Sequence, residues 1–255
     1  MGLNDSPERT VTTAETIFDV INCLKKLDGA TVQEVSDAVG VAESTAHTYL
    51  ATLRAQEYVV KDGPVHYLSL KPLDNGITVR ENMELTGAAR PVIDEVADET
   101  GEVAWIVIEE HGRGVYLMKS EGEKAVRTRG RVGKRTTMHD IAAGKAILSQ
   151  LPERRVEAIL DEFGLPERTA NTITDRKAFE QELERVREAG YATNRGETVE
   201  KVRAVASPIL RDDAVCGSVG VAGPKHRLSG DWFTEELPNV VLEAADTIEL
   251  DLTYQ

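Results

Sequence analysis

The chain has 255 residues, of which 41% are hydrophobic, enough to form two packed domains of ordinary size or one large one. Its longest apolar run, residues 103–108, is far shorter than the roughly 20 residues that span a bilayer, and residues 1–10 lack the apolar segment of a signal peptide. We therefore predict a cytoplasmic protein without a membrane partner. The two distant cysteines, Cys23 and Cys216, exclude a disulfide framework and a cysteine-rich metal site.

The charge balance is strongly acidic. The chain has 44 Asp and Glu residues against 30 Lys and Arg residues, a net charge of −14, and only 11 of the basic residues are lysines. Such a composition is typical of proteins that work in very concentrated salt, where the Debye length falls to about 3 Å at 1 M. We therefore predict a halophilic source, such as a halophilic archaeon.

The first predicted elements form a three-helix core. Thr31 and Glu34 have the spacing of a capping box, which starts a helix, and Gly40 can end that helix in a left-handed conformation. One helix upstream and one downstream carry apolar residues at helical spacing. These residues are Ile17, Val20, Ile21, Leu24 and Leu27 upstream, and Ala46, Leu50 and Leu53 downstream.

The downstream helix has a small, polar outer face, and a predicted hairpin follows it. On a 3.6-residue repeat the outer face carries Ser44, Thr48, Ala51 and Ala55, flanked by Thr45, His47 and Thr52. Residues 58–60 and 65–70 are predicted strands around Asp62-Gly63, a dipeptide that favours tight hairpin turns. Two short helices followed by a hairpin are the pattern of a winged helix-turn-helix domain, which usually binds DNA.

The scarcity of basic residues in this region argues against DNA binding. Between Thr31 and Gln56, Arg54 is the only Lys or Arg, whereas phosphate contacts by such residues usually supply much of the affinity. Concentrated salt weakens this objection, because it screens long-range repulsion and leaves hydrogen bonds and fit to decide. An alternative stays open: a small-molecule-binding or enzymatic domain whose helical N-terminus only dimerises. Deleting residues 1–75 distinguishes the two, since the alternative predicts loss of dimerisation.

The rest of the chain predicts a mixed α+β domain with an antiparallel sheet. We place the first domain at residues 10–71, a partly helical linker at 72–86 and the second domain at 87–255, because Pro and Asp-Asn-Gly break the pattern over residues 71–76. One predicted helix covers 92–97 and ends at Gly101, and a second begins near Asp140. Three more cover 153–163, 176–189 and 232–252. Predicted strands cover 103–108, 115–120, 202–210 and 215–222.

Three segments resemble the IclR-type transcriptional regulators. They are STAHTYLATL at 44–53, RTTMHDIAAGKAILSQLP at 135–152, and ITDRKAFEQELERVREAGYATNRGETVEKVRAVASPI at 173–209 followed by GSVGVAGPKHR at 217–227. The resemblance implies a winged helix-turn-helix domain, a linker helix and an effector-binding domain with a GAF-like fold, in a regulator that is not an enzyme and needs no cofactor. It also implies a homodimer or dimer of dimers, a pseudo-palindromic operator in double-stranded DNA, and a small organic effector such as a carboxylate or aromatic acid.

The resemblance places the DNA contacts on the second helix and the wing. Ser44, Thr45, His47 and Thr48 are expected to face the major groove, with Lys61 and His66 on or near the wing. Arg54 is a further candidate for DNA binding. Many relatives carry arginine after the histidine of this segment, where this chain has Thr48. Arginine makes the commonest base contact, bidentate to guanine, whereas threonine contacts either kind of base or a thymine methyl. We therefore expect a different operator.

The resemblance also places an effector pocket. Its expected lining is Arg135, Met138, Ala142, Ala143, Asn194, Ala204, Gly220 and Ala222. Relatives that bind small carboxylates use hydroxyls on the last strand, and Gly220 and Ala222 supply none, so we expect a larger or more apolar ligand.

A basic group stands out in this acidic chain, since guanidinium groups suit carboxylate or phosphate. Its members are Arg127, Arg129, Arg131, Lys134 and Arg135. For all of them except Arg135, an ion pair with a surface Asp or Glu is as good an interpretation as contact with a carboxylate or phosphate ligand.

Motifs of catalysis and metal binding are not found in the sequence. The Gly144-Lys145 pair lacks the upstream glycine and the following Ser or Thr of a phosphate-binding loop. The five histidines have no metal-ligand spacing, and no nucleophile elbow is present. His139 is interpreted as a hydrogen-bonding residue at a helix start.

Overall fold

The computed structural model describes residues 10–126 and 130–254, and the chain divides into two compact units between Val79 and Arg80. Arg127 and Arg129 of the predicted basic group lie outside the described residues. This division falls inside the predicted linker, residues 72–86.

The N-terminal unit consists of three helices and a small antiparallel sheet. The helices are α1 (Thr12–Leu27), α2 (Val32–Val39) and α3 (Glu43–Ala55), and the strands are β1 (Ala30–Thr31), β2 (Val59–Asp62) and β3 (Val65–Leu68), in the order β1-β3-β2. The predicted apolar stripes form most of its core, where Val20, Leu24, Val35, Ala46 and Leu50 are buried, whereas Leu27 at the end of α1 is exposed.

The predicted capping box is present at the start of α2. The Glu34 amide donates to Thr31 Oγ1 at 3.3 Å, and the Thr31 amide donates to Glu34 Oε2 at 2.8 Å. The Thr31 amide, together with the Thr31 hydroxyl that donates to the same oxygen at 2.8 Å, lowers the pKa of the Glu34 carboxyl, because both bonds favour its charged form. Gly40 ends the helix with φ 75°, as predicted.

The turn of the wing lies one residue later than predicted. Asp62 pairs with Val65 in the ladder, so the two turn residues are Gly63 and Pro64. Gly63 has φ 55°, and Pro64 has no N–H to donate to a ladder.

Helix α4 (Lys71–Glu81) runs through the Asp74-Asn75-Gly76 segment that we expected to interrupt the pattern. Pro72 lies in the first turn, where a missing N–H has no consequence. Local contacts hold this end of the helix: Asn75 Nδ2 donates to Tyr58 Oη at 2.7 Å, and Lys71 pairs with Glu57 at 3.3 Å.

The C-terminal unit is built on a six-stranded antiparallel sheet in the order β6-β5-β4-β9-β8-β7. The strands are β4 (Val103–Glu110), β5 (Arg113–Glu121), β6 (Arg135–Thr136), β7 (Ala192–Asn194), β8 (Val202–Arg211) and β9 (Ala214–Pro224). The helices are α5 (Glu84–Thr100), α6 (Ala142–Gln150), α7 (Glu153–Phe163), α8 (Arg176–Ala189) and α9 (Leu237–Tyr254), the last preceded by a π-helical turn, Trp232–Glu236. The predicted α+β class and antiparallel sheet are confirmed.

Helices cover both faces of this sheet, because alternate strand residues point to opposite sides. Ala104 and Ile106 pack with α5 and α9 on one face. Trp105 and Val107 pack with α6, α7 and α8 on the other. The second face holds the ligand cavity described below.

Several boundaries differ from the predictions. Helix α5 ends before Gly101 as predicted, but it begins at Glu84 and contains Pro91, so it extends well upstream of the predicted 92–97. The short strands β1, β6 and β7 were not predicted, because two or three residues are too few to show an alternating pattern. Within the described part of the chain, no helix is long and apolar enough to cross a bilayer.

Candidate nucleic-acid interface and ligand cavity

The outer face of α3 presents small polar groups to solvent. Ser44, His47 and Thr48 are exposed and Thr45 is half-buried, because Ala46 and its apolar neighbours turn the other face to the core. Thr48 Oγ1 donates to the Ser44 carbonyl at 2.9 Å. Because this bond uses the hydroxyl proton, Thr48 Oγ1 presents only its lone pairs to solvent, next to the methyl group. It can therefore accept a hydrogen bond from adenine N6 or cytosine N4, or contact a thymine methyl.

Two exposed cations lie on the same unit. Arg54 is in the last turn of α3, and Lys61 is on β2 of the wing. Neither has a carboxylate within ion-pair distance among residues 10–126 and 130–254. Both side chains are therefore available for phosphate contacts.

His66 lies on the wing, as the resemblance implied, but its side chain is not exposed there. It is only 5% exposed on the central strand β3, opposite Ala30 on one side and Lys61 on the other. Its Nδ1 has no hydrogen-bond partner among the described residues. The predicted DNA contact through His66 is therefore at odds with the structure, because the ring is part of the interior of the wing.

Burial lowers the pKa of His66, and the charge of Lys61 adds to this effect. The unfolded chain, with a pKa near 6.5, therefore takes up the proton first as the pH falls. We expect the N-terminal unit to lose stability as the pH falls below about 6.5, until the folded pKa is reached. Thermal unfolding of wild type and His66→Asn between pH 7.5 and 5 measures this, and the variant should lack that share of the pH dependence. His47→Asn, on the exposed face of α3, should retain it.

A cavity of about 680 Å³ lies in the C-terminal unit, between the sheet and the start of α6. Six of the eight predicted effector residues line it: Ala142, Ala143, Asn194, Ala204, Gly220 and Ala222. A residue missed in the sequence, Trp105, lies against Tyr116 with ring centroids 4.8 Å apart. The alternation of β4 and β5 puts these two aromatic rings on the α6 face, a signal that the sequence contained.

Arg135 and Met138 do not line the cavity. Arg135 pairs with Glu110 at the end of the sheet. Met138 is 2% exposed and packs into the core beside Gly114. The predicted basic group contributes Lys134 instead, since successive residues of an extended segment point to opposite sides. The preference for Arg135 over its neighbours is therefore wrong.

The charged groups of the cavity are all positive. Lys134 and Lys201 line it, and neither has an ion pair among the described residues. The described lining contains no Asp or Glu, in a chain with 44 of them. Helix α6 also begins at this wall with no side-chain cap, so its dipole adds positive potential.

The rest of the lining is largely apolar and partly unprotected. Val126 and Val199 are large apolar side chains that remain about half exposed, at 48% and 51%.

Burial raises the pKa of Tyr116 to about 12, and the charge of Asp140 acts in the same direction. The Tyr116 hydroxyl therefore stays protonated at neutral pH.

Gly220 has a steric reason to be glycine. A Cβ at this position would lie 2.7 Å from Ala206 Cβ and 2.8 Å from the Val205 carbonyl oxygen. A hydroxyl-bearing side chain therefore does not fit at Gly220 without moving β8.

His139 takes a structural place. Its Nε2 lies 3.1 Å from the Pro166 carbonyl oxygen, and its ring is 2% exposed just before α6. Within the described residues, no group of three or more His, Cys, Asp or Glu side chains is arranged to hold a metal ion.

Known proteins match both units. The family model of the IclR helix-turn-helix domain matches residues 13–63, and that of the bacterial transcriptional regulator IclR C-terminal region matches residues 77–250. A probable HTH-type transcriptional regulator ArcR of Halobacterium salinarum is 34% identical over 98% of this chain and 97% of its own length. This match agrees with the predicted halophilic source.

Solved structures share the fold. The IclR of Thermotoga maritima has a TM-score of 0.78 at 25% identity, covering 95% of this chain and 99% of that one. An IclR homolog of Microbacterium hydrocarbonoxydans, solved with 4-hydroxybenzoate, has a TM-score of 0.81 at 21% identity, covering 95% and 100%. The chain thus belongs to the IclR family of transcriptional regulators, with a DNA-binding helix-turn-helix domain and a C-terminal effector-binding domain.

Proposed function

We propose that the effector of this regulator is an organic anion with a largely apolar or aromatic body, bound in the C-terminal cavity. One observation carries this proposal: Lys134 and Lys201 line the cavity, and its described lining contains no carboxylate. Lys134 is half-buried and Lys201 is exposed, so an anion that enters the cavity meets two cations without a carboxylate partner among the described residues. An aromatic acid satisfies both the charge and the rings of Trp105 and Tyr116.

The size of the cavity suits such a molecule. Its volume of about 680 Å³ lies within the roughly 300–1,000 Å³ typical of small-molecule sites. The half-exposed Val126 and Val199 give the ligand apolar surface to bury. The Microbacterium homolog, solved with 4-hydroxybenzoate, supports an aromatic carboxylate as the first compound to test.

For the DNA-binding unit we propose that Ser44, Thr45, His47 and Thr48 reach base edges in the major groove. Arg54 and Lys61 then contact phosphates, because they are the exposed cations beside this face. A two-fold dimer places two copies of α3 about 34 Å apart, or a multiple of it, on a pseudo-palindromic operator. Effector binding changes the population of dimer arrangements and so the affinity for that operator.

Fluorescence anisotropy tests the regulator itself. Labelled DNA from the region upstream of the chain's own coding sequence is titrated with protein in about 1 M potassium chloride, where non-specific attraction is weak. We expect saturable binding that random DNA does not compete away, and a shift of the curve when effector is added. Deletion of residues 1–75 should abolish DNA binding and leave dimerisation intact; loss of dimerisation would favour the alternative.

The lysines provide the test of the effector class. We expect Lys134→Met and Lys201→Met each to weaken binding of 4-hydroxybenzoate about tenfold, roughly 1.4 kcal/mol, because each removes one positive charge that attracts the anion. Isothermal titration calorimetry measures the affinity, with 4-hydroxybenzamide as the neutral analogue, whose binding should not change. Lys177→Met, an exposed lysine on α8, is the matched control. Equal losses for acid and amide would contradict the proposed anion.

A further inference from the structure

A buried charged side chain lies on α6, the helix whose first residues line the effector cavity. Lys145 on α6 is 1% exposed, and its Nζ donates to Glu197 Oε1 at 2.9 Å and to Glu197 Oε2 at 2.8 Å. It also donates to Glu182 Oε1 on α8 at 3.1 Å. Glu182 accepts two further hydrogen bonds from Arg185, at 2.8 and 2.9 Å. Lys145 thus connects two helices with the segment that carries Glu197.

That segment, residues 194–201, is one wall of the cavity. Asn194, Thr198, Val199 and Lys201 line the cavity, whereas Glu197 is outside its lining. The wall is folded on itself, since Asn194 Oδ1 accepts from the amides of Gly196 at 2.9 Å and Glu197 at 3.0 Å. Asn194 Nδ2 and Thr198 Oγ1 both donate to the Asp140 carbonyl, next to α6. The wall is therefore attached to α6 at Asp140 and at Lys145.

We propose that the Lys145–Glu197 ion pair is a positioning device for the effector cavity: it holds wall 194–201 at the distance from α6 that the ligand requires. This inference rests on the proposed function of the cavity. Neither residue touches the ligand space, so both act through the backbone between Asn194 and Lys201.

A contribution to stability does not by itself explain why this ion pair is buried. Burying a lysine and two carboxylates costs desolvation energy that apolar residues of similar size would avoid. A buried ion pair can instead fix the registry of the elements it joins. The elements joined in this case are α6 and α8 on one side and a cavity wall on the other. Other contacts of the wall, from Thr169 to the Gly196 carbonyl at 2.7 Å and from Thr172 to the Glu197 carbonyl at 2.7 Å, remain when the pair is removed.

The first experiment needs no ligand. Trp105 lines the cavity and is 6% exposed, so in a Trp232→Phe background its fluorescence reports access to the cavity. We expect Glu197→Gln to raise the acrylamide quenching constant about twofold, because the wall moves away from α6. Glu182→Gln, which alters the same network on α8 without touching the wall, should leave the constant unchanged. Equal quenching in Glu197→Gln and the parent protein would overturn the proposal.

The second experiment separates positioning from stability. Glu197→Gln should both lower the unfolding midpoint and weaken 4-hydroxybenzoate binding about tenfold, since Lys145 is left without its main partner. Lys145→Met combined with Glu197→Gln removes both charges, so we expect its midpoint to recover while its affinity stays about tenfold weak. Affinity that recovers together with the midpoint would assign a purely structural role and overturn the proposal. If wild type binds none of the tested anions, the effector class is wrong, and the quenching experiment alone decides the positioning role.

Discussion

Thr48→Glu is expected to lower operator affinity at least about a hundredfold, or roughly 3 kcal/mol. The side chain at this position lies on the exposed face of α3, so a carboxylate placed there meets base edges and phosphates of the same charge sign. The helix itself should tolerate the change, because glutamate has a higher helix propensity than threonine. Anisotropy titration in about 1 M potassium chloride measures the loss.

The matched control for this substitution is Thr247→Glu. Thr247 is also an exposed helical threonine, and its hydroxyl also donates to the carbonyl four residues earlier, at 2.8 Å from Glu243. The two variants therefore change the net charge and the local hydrogen bonding equally. Thr247→Glu should bind the operator like wild type. Unchanged affinity in Thr48→Glu would remove α3 from the DNA interface.

Gly144→Ala is expected to destabilise the C-terminal unit by about 3 kcal/mol. A Cβ at this position would lie 2.2 Å from the Met138 carbonyl oxygen and 2.5 Å from Met138 Cα, both backbone atoms that cannot move aside cheaply. The first turn of α6 has to shift, and with it the cavity wall formed by Ala142 and Ala143. Urea unfolding followed by circular dichroism measures the stability, and calorimetry measures the accompanying loss of ligand affinity.

The same substitution elsewhere should have the opposite sign. Gly76 lies inside α4, and a Cβ there would have no atom within 4 Å. Gly76→Ala is therefore expected to stabilise that helix by about 0.5–1 kcal/mol, the ordinary difference between the two residues in a helix. A wild-type unfolding midpoint in Gly144→Ala would show that the close approach to Met138 is relaxed at little cost.

Much of the fold was predictable because its signals are local. The capping box at Thr31, the helix over 153–163 and the helix from Arg176 to Ala189 each begin and end at residues whose chemistry is visible in the sequence. The break expected at Asp74-Asn75-Gly76 failed for the opposite reason. There the contacts of Asn75 and Lys71 with residues near 57 outweigh weak helix propensity, and such contacts depend on the tertiary fold.

The candidate site divides in the same way. The small residues around the cavity followed from the resemblance, and six of eight line it. Arg135 and Lys134 could not be told apart, since the choice depends on which side of an irregular segment faces the sheet. The burial of His66 was not predicted, because β3 is flanked on one side by β1, a strand of only two residues that the sequence did not reveal. Two residues leave no pattern from which burial could be read.

The interior location of the Lys145–Glu197 pair has a consequence for a protein whose composition suits concentrated brine. Ions in such a solution mask charges on the protein surface within about 3 Å at 1 M, so exposed pairs such as Arg176 with Asp161 lose most of their influence. A pair that solvent ions do not reach is screened much less. As salinity changes outside, the affinity for DNA phosphates should vary, whereas the shape of the effector pocket should remain constant. Effector recognition, as far as the shape of the cavity decides it, should therefore be the same in more and in less concentrated salt, even though DNA affinity is not.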